Sequence, residues 1–171
     1  MRILSVLSCL LLLACNEETA KAPAPIALTA SALGHYCQMD VLEHEGPKAQ
    51  IHLSGYPMPI WFGQVRDGIA YVKSKERTAD VLAFYVNDMA KATDWASPGT
   101  ENWIKAETAF YVAESTAIGG MGAPEMVPFA TADDARAFVK QHGGEIKRLS
   151  EIDAEDVLKP VDISRIASPT K

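Results

Sequence analysis

Two stretches of this chain, 67 residues apart, read alike. Residues 62–73 are FGQVRDGIAYVK and residues 129–140 are FATADDARAFVK. They share Phe62/Phe129, Asp67/Asp134, Ala70/Ala137, Val72/Val139 and Lys73/Lys140, and Tyr71 answers Phe138. Pro59 precedes the first and Pro128 the second, and upstream K-A-Q-I (48–51) answers K-A-E-T (105–108). Ordered self-similarity of this kind points to one supersecondary unit used twice. In the first unit, Ala49–Leu53 reads as a strand, Ser54–Pro57 as a turn and Met58–Phe62 as a second strand. A helix follows from near Gly63, with Val65, Ile69 and Val72 at helical spacing. In the second, Ile104–Val112 reads as the strand and Val127–Phe129 leads to a helix that Thr131 caps. That helix stops at Gly143-Gly144, and Glu145–Leu149 closes the unit. The expectation is an α+β fold of two small homologous ββαβ units in one compact chain.

The chain divides accordingly. Residues 1–14 read as a lipoprotein signal peptide: Arg2, a short apolar core too brief to span a bilayer, then Leu12-Leu13-Ala14 before Cys15. That ending resembles a bacterial lipobox, in which the cysteine is lipidated. Residues 15–33 are then the lipidated Cys15 and a tether, with Ala20–Ile26 as an extended linker. Residues 34–95 form the first unit, 96–159 the second and 160–171 a polar tail. Asn16, in place of the Asp that favours inner-membrane retention, points to an outer-membrane anchor facing the periplasm. With the leader removed, 15 basic residues face 22 acidic ones. Nucleic acid is therefore not an expected partner, since it demands a basic footprint.

Compartment changes the meaning of the cysteines. Cys9 leaves with the leader and Cys15 carries lipid, so Cys37 stands alone in an oxidising space where thiols usually pair. Met39 lies two residues on; in an extended segment both side chains share a face. A thiolate and a thioether are soft donors that select Cu(I) over hard cations. His44, just before the Gly46-Pro47 turn, is a third candidate. Met121, between glycines in an inserted stretch, STAIGGMGAPEM (115–126), is a fourth. Met58 and Met126 read as core, and His52, alternating with Ile51 and Leu53, as facing water; His35 and His52 are auxiliaries at most. From spacing alone, Met39 also suits a core filler, His44 a solvated loop residue and Cys37 an idle buried thiol. Zinc is disfavoured because paired Cys or His motifs are missing. A thiol-dependent, lyase-like enzyme using Cys37 with His44 or His35, and a structural envelope lipoprotein, are the alternatives.

Four stretches together resemble the NosL family of nitrous-oxide-reductase accessory lipoproteins. They are C-x-M-x4-H-x-G-P-K-A-Q-I (37–51), Trp61-Phe62 with R-D-G-I-A-Y (66–71), G-G-M-G-A-P-E (119–125), and V-P-F with its helix and Gly143-Gly144. Gln38 departs from the small residue or proline common at that position. The resemblance implies a non-enzymatic Cu(I) chaperone of the periplasm. It serves assembly of the copper–sulfur centre of nitrous oxide reductase, together with a membrane complex of ABC-transporter type. It also implies two ββαβ units, with Cys37, Met39, Met121 and His44 as the metal residues.

Overall fold

The computed structural model describes residues 22–159; the leader, Cys15 and the polar tail expected over 160–171 lie outside the described residues. The strands are β1 (Ala49–Leu53), β2 (Ile60–Phe62), β3 (Val81–Asn87), β4 (Trp103–Lys105), β5 (Phe110–Ala113), β6 (Val127–Phe129) and β7 (Glu145–Lys147). The helices are α1 (Val65–Lys73), α2 (Ala132–His142) and α3 (Ala154–Leu158), with 3-10 turns at Val41–Glu43, Ala106–Thr108 and Leu149–Glu151.

The strands form two antiparallel sheets, ordered β2-β1-β3-β4 and β6-β5-β7. In each, the first strand of a ββαβ run is central and the strand after the helix takes its other side. The register matches too: Ala49 pairs with Phe62 and Phe110 with Phe129, so each phenylalanine ends its strand three residues before a helix begins. α2 starts as its sequence predicts, with the Thr131 hydroxyl accepting the Asp134 N–H at 3.2 Å. It ends at Gly143, whose φ of 67° suits glycine.

Several expectations change. The strand expected over Ile104–Val112 is two strands broken at Ala106–Thr108, and its first piece, β4, joins the first sheet beside β3. K-A-E-T therefore ends β4 and forms a 3-10 turn, and β5 holds between β6 and β7 the place that β1 holds between β2 and β3. Met58 is 58% exposed, because it lies in the turn before β2 and not within the strand. Met126 is buried as expected. His52 is buried because β1 is covered on both faces. The expected linker is the cause. Tyr85 Oη donates to the Pro23 carbonyl at 2.7 Å, and the Gln50 amide both accepts from Ile26 N–H (3.0 Å) and donates to its carbonyl (2.9 Å). Residues 23–32 are thus a strap laid on the sheet, with Leu28 and Ala32 packed against Val41 and Trp61. His52 Nε2 lies 3.2 Å from Gln50 Oε1 beneath it.

The main core lies between the sheets and takes side chains from both. Ile51, Phe62, Val65, Ile69 and Val86 meet Ala109, Tyr111 and Met126, and Ile152 and Val157 close it from the C-terminal segment. Arg66, at the start of α1, donates through Nε to the Val157 carbonyl at 2.7 Å, holding α3 by its free carbonyl end.

Candidate metal centre

Residues 61–64, Trp-Phe-Gly-Gln, run from the end of β2 to the N-cap of α1, and each of the four holds a different part of the candidate site. The Trp61 carbonyl accepts the His35 N–H at 2.7 Å, which fastens the loop carrying Cys37 and Met39. Phe62 packs edge-on against Tyr36, with ring centroids 5.4 Å apart. Gly63 lies under the His44 ring, where a Cβ would fall 3.0 Å from Cδ2. Gln64 Oε1 accepts the backbone N–H of Met121 at 3.2 Å.

The Cys37 loop is a closed turn. Leu33 bridges Asp40, Gly34 N–H donates to the Met39 carbonyl at 2.8 Å, and Gln38 N–H donates to the Gly34 carbonyl at 2.8 Å. Gln38 has φ of 57°, a left-handed conformation that a non-glycine residue adopts only when held there. Its amide supplies the hold, donating to the His35 carbonyl at 2.9 Å. The segment is therefore not extended, and the same-face argument for Cys37 and Met39 does not apply; a turn places both in one loop. Cys37 is a free, half-buried thiol whose Sγ lies so close to Gly34 that a Cβ there would sit 2.5 Å away. Met39 is 43% exposed.

His44 follows the Val41–Glu43 turn, which Asp40 caps by accepting the Leu42 N–H at 2.9 Å. It is not a solvated loop histidine: Nε2 is buried and, among the described residues, has no hydrogen-bond partner. A buried imidazole nitrogen with no protein partner keeps its lone pair or N–H for a bound group. Lys48 braces the loop from behind, its Nζ donating to the carbonyls of His44, of Glu45 (3.1 Å) and of Gly46 (2.6 Å). Burial lowers the Lys48 pKa to about 8, against the pull of Glu125 and Glu45.

The inserted stretch is a tight hairpin and not a slack loop. Ile118 bridges Pro124, Gly119 N–H donates to the Ala123 carbonyl (2.8 Å) and Glu125 N–H to the Ala117 carbonyl (3.0 Å). Met121 stands at its tip, 40% exposed. Gly120 rests on the His44–Glu45 backbone; a Cβ there would fall 2.6 Å from His44 Cβ. Trp95 ties hairpin to loop: its carbonyl accepts Gly46 N–H (2.8 Å) and its indole donates to the Ile118 carbonyl (3.2 Å). The fold thus brings His44 against the Met121 hairpin and seats the Cys37–Met39 loop on the same β2–α1 junction. His35 faces Phe62 and Tyr71 at 5.7 and 5.3 Å, on the aromatic side of that loop. His52, beneath the strap, is elsewhere.

Sequence reading missed Lys48, Gln64 and Glu125. Glu125 is 1% exposed, and burial pushes its pKa up to about 8. Lys48 and Glu125 both fall inside the motifs quoted above, where a charge between apolar neighbours was the available signal. A cavity of about 630 Å³ behind the hairpin is lined by Arg66, Glu125, Lys147, Asp156 and Lys159 among others, and by none of the four candidate metal residues. Among the described residues no three His, Cys, Asp or Glu side chains cluster as a metal site.

Comparison with known proteins matches the chain to one family. The family model described as NosL covers residues 25–157. A copper-binding lipoprotein NosL of Achromobacter cycloclastes is 52% identical over 153 residues, spanning 89% of this chain and 79% of the relative. Its counterpart from Stutzerimonas stutzeri is 30% identical over 139 residues, 81% of this chain and 70% of the relative. The crystal structure of the copper chaperone NosL from Shewanella denitrificans superposes with a TM-score of 0.71 at 30% identity, over 76% of this chain and 96% of that one. The solution structure of apo-NosL from Achromobacter cycloclastes gives 0.50 at 51% identity, over 67% and 91%.

Proposed function

The chain belongs to the NosL family, and on that premise we propose that it is a copper carrier, binding Cu(I) through Cys37, Met39, His44 and Met121. Copper is its cargo. The observation that carries the reading is the convergence on residues 61–64: the loop with the thiol and a thioether, the buried and unpaired His44 Nε2, and the hairpin with the second thioether are all fastened there. The donor chemistry fits the ion. Thiolate and thioether are soft and favour Cu(I), and imidazole also suits copper. The relatives' names, copper-binding lipoprotein and copper chaperone, describe binding and delivery and not catalysis.

The remaining parts follow from the family resemblance. Cys15 carries the lipid, so the protein works at the periplasmic face of a membrane, the outer membrane by the Asn16 criterion. The copper passes to the maturation machinery of nitrous oxide reductase, a membrane complex of ABC-transporter type, for the enzyme's copper–sulfur centre. Partly exposed Met39 and Met121 suit such a handover, because a partner's donors reach the ion from the side these thioethers occupy.

Anaerobic competition against a Cu(I) chelator tests the reading. Cys37→Ala is expected to weaken binding at least a hundredfold, and His142→Ala, stacked on Phe138 at the far end of α2, to leave it unchanged. Equal affinities for wild type and Cys37→Ala would remove the thiol from the site. Refusal of Cu(I) by the wild-type protein would end the carrier reading.

A further inference from the structure

α1 begins without capping itself. Gln64 occupies its N-cap position, yet its side chain makes no capping bond to the helix. Its Oε1 instead accepts the N–H of Met121, 57 residues away, while Nε2 donates to Asp67 Oδ2 at 3.3 Å. The N–H this leaves open at Arg66 is taken by Glu125, 59 residues away, through Oε1 at 2.9 Å. The same oxygen accepts the Met126 N–H at 2.8 Å. Helix and hairpin have exchanged acceptors: the helix start gives one to the hairpin tip, and the hairpin base returns one to the helix. An open first-turn N–H needs an acceptor, so each element depends on the other.

The consequence falls on Met121. Its side chain is 40% exposed, so little packing fixes the direction of its sulfur. A thioether on three rotatable bonds is adaptable by nature. Its backbone is what is held, at the N–H by Gln64 and at the foot of the hairpin by Glu125. Between these two contacts Gly119 packs so tightly that a Cβ would lie 2.7 Å from Glu125 Oε2. That oxygen is buried and, among the described residues, has no hydrogen-bond partner.

We propose that Gln64 and Glu125 are the positioning residues of the copper site: the exchanged cap holds Met121 over the β2–α1 junction, where its sulfur joins the donors of the Cys37–His44 loop. This rests on Met121 being a copper donor. Neither residue touches the metal; both act through the Met121 backbone, as outer-shell partners that orient a ligand do.

The test uses the intact mature chain, with Cu(I) itself as the probe. Gln64→Leu removes the acceptor at Met121 and is expected to weaken Cu(I) binding roughly 10- to 100-fold. The extended fine structure of the copper X-ray absorption spectrum should then report one sulfur neighbour fewer. Gln64→Glu, which keeps the acceptor oxygen for Met121 but gives up the donor to Asp67, is expected to restore both in part. Gln64→Ala serves the same comparison if Gln64→Leu does not fold. The decisive variant adds Gln64→Leu to Met121→Ala. If Gln64 acts through Met121, the second change does nothing further, and the two effects do not add. Additive losses, or a Gln64→Leu protein with wild-type affinity and sulfur count, overturn the positioning role while leaving the carrier reading intact. Wild-type affinity in Met121→Ala would instead remove Met121 from the donor set, and the positioning role with it.

Discussion

Glu125 shows what a single buried carboxyl does to a protein of this size. Burial lifts its pKa from the ordinary 4.5 to about 8, against the pull of the Arg66 and Met126 N–H groups. The folded chain therefore holds a proton there between pH 4.5 and 8, where the unfolded chain has released it. The folded state binds the extra proton, so stability falls as pH rises through that window, with a slope of up to about 1.4 kcal/mol per pH unit. Metal-free protein is expected to lose thermal stability steadily from pH 5 to 8, and Glu125→Gln, neutral throughout, to flatten the profile. Parallel profiles for the two would mean that Glu125 is ionised in the fold. Lys48 acts in a different window and with opposite sign. Its folded pKa of about 8 lies below the ordinary 10.5. The unfolded chain then binds the extra proton from pH 8 to 10.5, and stability is regained there. Lys48→Met would leave the His44, Glu45 and Gly46 carbonyls without their shared donor. About 2 kcal/mol or more of stability should go with it, read as a lower denaturant midpoint.

At the scale of elements, the hairpin over Ala117–Glu125 sets the geometry of the site, and Gly120 is its contact point. A methyl group at that position would stand 2.6 Å from His44 Cβ and 2.9 Å from the nitrogen and oxygen of Glu45. Two of those neighbours are backbone and cannot swing aside, so the hairpin must lift. Gly120→Ala is expected to cost about 1–3 kcal/mol and to weaken Cu(I) binding as Met121 moves off. An unchanged affinity would show that the tip is free to shift without loss. The elements legible in the sequence were those with local signals. The Thr131 cap and Gly143 stop delimit α2, and Phe62 and Phe129 fix equal registers before α1 and α2. The illegible ones have tertiary causes. β4 is three residues that are strand only because β3 lies beside them. Residues 23–32 resemble a linker in composition, and become a strap because Gln50 and Tyr85 offer them hydrogen bonds from the sheet. α3, of five residues, depends on Ile152 and Val157 reaching the core and on Arg66 holding its end. Of the candidate site, Cys37, Met39, His44 and Met121 stand out in the sequence by their donor chemistry. Gln64 and Glu125 did not, since their partners lie nearly sixty residues away.

The whole molecule is one folding unit despite its two sheets. The main core places β1, α1 and β3 residues against Ala109, Tyr111, Ala113 and Met126 of the other half. Neither half encloses that core alone. Tyr111, fully buried, even satisfies its hydroxyl on the Ala106 carbonyl at the 3-10 turn that follows β4, the last strand of the first sheet. Residues 34–95 by themselves would lack β4 and would bare the apolar face of their sheet, giving up both edge pairing and burial. Chemical unfolding of the intact chain is therefore expected to be a single transition, with tryptophan emission and far-ultraviolet circular dichroism superimposing. Trp61 and Trp103 report the first sheet and Trp95 the junction with the second half, so independent halves would separate the two signals. Ile152→Ala sharpens the comparison. This side chain is fully buried, reaches the shared core from the C-terminal segment and carries no polar contact with the metal residues. Its loss should cost about 2–5 kcal/mol and shift both signals by the same amount. A shift confined to one signal would mean that the halves unfold separately, and that the candidate metal residues, drawn from both, meet only when two independent domains dock.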